Sequence, residues 1–125
     1  MDRLGSNFTT AFGVVANTKT YNLHTSAAET TNGNTAINAG DCKEALLAIN
    51  ISAVSGTTPS CQFVLEVNDG LGNWYSIPNA TIAAQTTTGS VIIALTNFHD
   101  NIRLSWSLTG TTPSFTFAAT LLGKA

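Results

Sequence analysis

Nine residues near the middle of the chain come back, little changed, near its end. Ser55-Gly56-Thr57-Thr58-Pro59-Ser60-Cys61-Gln62-Phe63 returns as Thr109-Gly110-Thr111-Thr112-Pro113-Ser114-Phe115-Thr116-Phe117. The spacing, roughly 54 residues, lies in the range that marks a recurring supersecondary unit. In each copy a Gly-Thr-Thr-Pro stretch separates two runs in which apolar and polar side chains alternate. Alternation with period two puts every second side chain on one face and reads as half-buried strand. The pattern predicts two similar β-hairpins, over 45–68 and 101–122, each turning on its Gly-Thr-Thr-Pro. In both copies the apolar positions after the turn, Cys61 and Phe63, then Phe115 and Phe117, are expected to point inward.

The rest of the chain supports an all-β class. Lys19 to Thr25 alternates. Asn32-Gly33 is a turn signal, and Thr35 to Asn38 reads as a short strand. Leu47, Ile49, Ile51 and Ala53 share one face, as do Cys61, Phe63, Leu65 and Val67. Asn68 to Asn73 is a turn. Trp74-Tyr75-Ser76-Ile77 begins another strand that Pro78 stops. Ser90 to Leu95 is a strand, and Asn97 to Asn101 a polar corner. Ile102, Leu104, Trp106 and Leu108 share a face, so Trp106 belongs to the core. A helical turn starting at Asp41, with Glu44 three residues on, is the weaker alternative there. Seven or eight such strands bury their apolar faces by packing as two antiparallel sheets. The expected fold is a single antiparallel β-sandwich, jelly-roll or immunoglobulin-like, over 19–125, with an extended N-terminal arm over 1–18.

Composition narrows what such a domain does. Charged residues make up 10% of the 125 residues, against about 25% in soluble domains at large. Thr, Ser and Asn take their place. A polar but weakly charged surface meets another surface with little like-charge repulsion, which suits a subunit built into an assembly. A Thr-rich sandwich of low charge is the plainer alternative. The net charge is −2, and the five Lys and Arg residues are scattered, so no basic stripe offers itself to nucleic acid. No stretch has the length and apolarity of a membrane span. The first residues make a poor secretory leader, and cytoplasmic synthesis is expected.

No catalytic, cofactor or metal site is marked out, and the chain is not expected to be an enzyme. His24 and His99 have no Cys or second His at ligand spacing. His99-Asp100 reads as a polar corner rather than a base and its orienter. Asn68 to Asn73 resembles a calcium loop only superficially, having one carboxylate and no closing Glu. Cys42 and Cys61 fit no zinc pattern and are expected to be buried thiols.

What remains are residues suited to contact. Phe8, Phe12, Val14 and Val15 in the arm follow no period that would bury them on their own domain. They are expected to pack on the mouth of the same domain or, preferably, on a neighbour. Trp74 and Tyr75 are adjacent in a strand, so one ring must face outward.

The repeated Gly-Thr-Thr-Pro-Ser with its following apolar strand resembles small structural proteins of tailed bacteriophages and prophages. Residues 48–59 leading into a strand, a segment like Asp69-Gly70 to Trp74-Tyr75-Ser76-Ile77-Pro78, a closing Arg103-Leu104 strand and the final Gly110 to Phe117 carry the likeness, over about residues 45–122. The resemblance implies a virion component, first of all a head decoration (cement) protein that clamps neighbouring capsomers. Its implied partners are the major capsid protein or other virion proteins and further copies of itself, as a homotrimer. It implies assembly in the host cytoplasm and residence in the virion. A tail, neck or baseplate subunit is the alternative, and a carbohydrate-binding sandwich a third reading from a different class.

Overall fold

The computed structural model describes residues 18–96 and 98–125. The arm residues Phe8, Phe12, Val14 and Val15 lie outside them. Among the described residues six strands appear, β1 Thr18–Glu29, β2 Gly33–Asn38, β3 Glu44–Asn68, β4 Trp74–Ser76, β5 Gly89–Leu95 and β6 Asn101–Lys124. No helix occurs among the described residues, and Asp41 sits in a turn rather than a helical one. The all-β expectation is met. All six strands belong to one antiparallel sheet, in which β1, β6, β3 and β4 are successive neighbours, β2 also pairs with β6 and β5 with β3.

The two expected hairpins do not form. Each Gly-Thr-Thr-Pro is a bend inside one long strand, 25 residues in β3 and 24 in β6. These strands run antiparallel along their whole length. Cys61, which a hairpin would set opposite Val54, pairs with Leu108, and Val54 pairs with Phe115. This merging of strand pairs is why six strands stand where seven or eight are expected.

The copies pair with each other about a local two-fold axis. Thr57 pairs with Thr111, its own equivalent. Ser55 pairs with Ser114 as Thr109 does with Ser60, and Ala53 with Thr116 as Ser107 does with Gln62. The backbones match as well, with φ of 114° at Gly56 and 116° at Gly110, and 46° at Thr58 and 45° at Thr112. Left-handed Thr is strained, and here each Thr hydroxyl donates to the preceding carbonyl oxygen at 2.8 Å. The symmetry ends at a β-bulge between Ile51 and Ala53, past which Ile51, not Ser52, faces Phe117.

Both long strands bend at the same level, so the sheet divides into two halves. In one, β1, residues 115–124, residues 44–55 and β5 lie side by side. In the other, β2, residues 101–106, residues 60–68 and β4 do so. Strands that turn a corner through bends or bulges let a sheet close over its own apolar face. Phe63 shows the closure. Its ladder partner is Trp106, yet its ring meets Phe117 of the other half edge-on, at 5.0 Å between centroids. The core is therefore sandwich-like, but it is enclosed by one continuous sheet.

Cys61, Phe63, Phe115 and Phe117 are all buried, as expected, together with Leu47, Ile49, Leu104, Leu121 and Trp106. Each inward residue belongs to an alternating run, so the period-two pattern sets the core directly. Cys42 departs from expectation. It is half-buried, beside the Tyr21 hydroxyl at 3.8 Å, and both thiols are free. Burial pushes the Cys61 thiol up from 9.0 to about 12. A raised thiol pKa means that ionisation favours the unfolded chain. The Cys61 contribution to stability is thus complete below about pH 9 and declines as the pH climbs toward about 12. A thiol reagent at pH 8 should label one cysteine per native chain, Cys42, and both only after denaturation. Equal labelling rates in the native protein would contradict this core.

Candidate interaction surface

The outward face of the first half-sheet carries little charge. Its outermost rung carries an ion pair, Lys124 Nζ to Glu44 Oε1 at 3.1 Å. The next rung runs Thr20, Leu122, Leu46, Ala94 across four strands. The one below runs Asn22, Thr120, Ala48, Ile92. No charged side chain stands in either rung. Alternation along each strand puts these residues opposite the core; Thr120 and Ala48 are half-buried and the other six exposed, with Leu46 43% exposed and Ile92 62%. A groove of about 560 Å³ is lined by residues 18–20, 44–46, 94–96 and 122–124 of the four strands, with Lys19, Glu44 and Lys124 among them.

Beside this face lies the free edge of β5. The strand pairs with β3 in unbroken register from Leu95 opposite Ala45 to Gly89 opposite Ile51. Its other edge has no strand partner among the described residues. Between Gly70 and Phe98 the sequence holds no Asp, Glu, Lys or Arg. The usual devices that keep an edge from pairing with another chain are a charge, a proline or a bulge, and β5 has none of them.

Of the two aromatic candidates, the structure separates one from the other. Trp74 lies under the Arg103 guanidinium, 4.5 Å from its ring centroid, and Arg103 Nε–H donates to Glu66 Oε1 at 2.7 Å. That ring is half-buried and engaged. Tyr75, 57% exposed, is the outward ring. Exposed Leu71 occupies the turn just before it. No aromatic ring among the described residues lines the groove.

The remaining polar candidates serve the fold. Asp69 accepts from the Leu71 and Asn73 backbone N–H groups and from the Asn73 amide. The Asn73 amide, then the Leu71 N–H, hold its carboxyl below the usual range. The loop is thus a turn tied by its own carboxylate. His99 Nδ1 meets Asp100 Oδ1 at 2.7 Å on an open corner, and this contact lowers the Asp100 pKa.

Sequence reasoning missed His24. It sits where β1 bulges against β6, and its Nδ1–H donates to the Phe117 carbonyl oxygen at 2.8 Å. Its Nε2 meets Glu29 Oε2, also at 2.8 Å. The imidazole stacks on Phe117, 3.9 Å between centroids, with the Trp106 edge at 5.1 Å. With both ring nitrogens engaged and the side chain 9% exposed, His24 closes one side of the core. The alternation of β1 could not reveal this, because the bulges shift its phase. Among the described residues no group of three His, Cys, Asp or Glu side chains is placed to hold a metal ion. No helix there is long and apolar enough to cross a membrane.

Compared with models of protein families and with curated proteins, the chain matches none.

Proposed function

We propose that this chain is a structural subunit of a tailed-phage particle, a head decoration protein that binds the outside of the capsid shell. The observation that carries the assembly reading is the outer edge of β5, which no strand among the described residues covers. A free-standing domain that left seven uncharged strand residues with an open ladder would invite aggregation. A subunit whose edge is covered by a neighbour gains main-chain hydrogen bonds from the same residues. Ile92, outward on this strand, and the charge-free rungs beside it extend the contact area. The phage assignment rests on the likeness carried by the two Gly-Thr-Thr-Pro copies and the Trp74-Tyr75 segment. Sugar binding is the third reading, and of the described aromatics only Tyr75 offers it an outward ring.

The major capsid protein is the partner in this reading, along with further copies of the chain in closed rotational symmetry, a trimer by analogy with decoration proteins. Particles induced from the source genome provide the test. Mass spectrometry should find the chain in stoichiometric amount, and electron microscopy should place it at regular positions on the head. Ile92→Lys should cut its occupancy on the particle at least tenfold while leaving the melting temperature within about 2 °C, as an exposed substitution does. Density at the tail instead would support the ring-subunit alternative. Absence from purified particles would overturn both.

A further inference from the structure

We infer that the His24–Glu29 pair is a proton-operated latch, which ties the end of β1 over the edge of β6 and releases it when the shared proton leaves. Both partners of the His24 ring are acceptors. Nδ1 stands 2.8 Å from the Phe117 carbonyl oxygen, and Nε2 stands 2.8 Å from Glu29 Oε2. A neutral imidazole has one N–H, and the carbonyl can only accept, so that hydrogen belongs on Nδ1. The contact between Nε2 and the carboxylate then needs a second proton. An imidazolium facing a carboxylate is the form that a charge-assisted hydrogen bond favours. Of the elements packed on the ring, β6 brings Phe117, Trp106 and the ladder partner Ala119, none of them ionisable. Glu29 is the ionisable group among the described residues that pairs with it.

The position of the pair makes it a latch. His24 lies between two register shifts in β1, and past the second only Ala27, Ala28 and Glu29 pair with β6, opposite Phe117, Thr116 and Phe115. Glu29 ends the strand and its carboxylate reaches back over the bulge to His24. Burial decides which contact yields when the proton goes. The ring is stacked on Phe117 at 3.9 Å, with a side chain 9% exposed, whereas that of Glu29 is 29% exposed and can rotate into water. A lone pair on Nε2 facing a carboxylate oxygen is repulsive, so Glu29 swings out while Nδ1–H keeps the Phe117 carbonyl. The core stays shut, and the last three rungs of β1 lose their tie. Lifting that end uncovers one side of β6 at residues 115–117, whose other side remains bound to Ile51, Ala53 and Val54 of β3. The freed backbone groups can then accept another strand. Closing the latch takes up a proton, so rising pH works against the closed form. The latch lies on β1 and leaves β5 untouched, so the inference stands apart from the virion reading.

Amide hydrogen exchange on the full chain tests it, at about pH 5.5 and about pH 8.5, on either side of the usual histidine value near 6.5. Protected amides of β3 serve as the internal reference, since they share the intrinsic pH dependence of exchange. Relative to them, the amides of 27–29 that bond to β6 should exchange about tenfold faster or more at the higher pH. Glu29→Gln supplies the decisive control. Its side-chain amide accepts from an imidazolium and donates to a neutral ring. The relative rate in this variant should therefore be the same at both pH values, within about twofold. Glu29→Ala, which has no latch, should exchange fast at both. Imidazole nitrogen NMR gives a second reading, with hydrogens on both His24 nitrogens in the closed form and on Nδ1 alone in the open one. A wild-type relative rate that ignores pH would overturn the inference. So would a rise in Glu29→Gln equal to that of the wild type, protection of 27–29 in Glu29→Ala, or a His24 hydrogen on Nε2 alone.

Discussion

Truncating Phe117 to Ala is expected to cost about 3–5 kcal/mol, the upper range for a buried aromatic. Phe117 is fully buried and joins parts of the fold that no ladder joins. Its ring stacks under His24 from β1, meets the edge of Phe63 at 5.0 Å and that of Trp106 at 5.3 Å. Phe63 and Trp106 belong to the opposite half of the sheet. Loss of the ring leaves a void that the surroundings are poorly able to fill. The Phe117 backbone is pinned on both sides, to Ala27 of β1 and Ile51 of β3. Collapse of the void would have to break two ladders, so the cavity persists and its full cost remains. Since a domain of this size holds about 5–15 kcal/mol in all, the variant should unfold at a much lower urea concentration. A loss below about 1 kcal/mol in urea melts would mean that the two halves do not meet at this ring.

Much of this architecture could be read in the chain because strand burial is written with period two. Leu47, Ile49 and Ile51, or Ile102, Leu104 and Trp106, give the core face whichever strand they pair with. Pairing itself was not legible. A Gly-Thr-Thr-Pro stretch between two alternating runs has the composition of a hairpin turn, and local sequence carries no sign that another copy lies beside it. Only the duplication hinted at the answer, since two equal units can bury their faces on each other as well as each on itself. His24 was opaque for a different reason. Its inward aim comes from the bulges in β1, which arise from pairing against β6. The interaction surface was half legible. The scarcity of charge pointed to contact, and Tyr75 was one of two rings singled out, but the position of β5 at an edge, uncovered among the described residues, exists only through strand order.

The same duplication sets the second large expectation, that Gly56→Ala and Gly110→Ala each destabilise the protein by about 3–5 kcal/mol. Two separate penalties combine at each site. The φ values of 114° and 116° lie where a side chain is strained, at a cost of about 1–3 kcal/mol. A Cβ at Gly56 would also stand 2.8 Å from the Thr112 carbonyl oxygen and 2.9 Å from Pro113 Cα. One at Gly110 would stand 2.7 Å from the Thr58 carbonyl oxygen and 3.1 Å from Pro59 Cα. These are backbone atoms of the facing copy, so relief requires the two long strands to move apart, an overpacking cost of about 1–3 kcal/mol more. Each glycine is thus required by the other copy's Thr-Pro, which accounts for the motif appearing twice. The shared clash makes a further result specific. Once one substitution has spread the bends, the second meets a wider gap, so the double variant should lose less than the sum of the singles. Urea denaturation of the two single variants and the double measures this coupling. Strict additivity, or losses near the roughly 0.5–1 kcal/mol of an ordinary change between Gly and Ala, would show that the two bends do not touch.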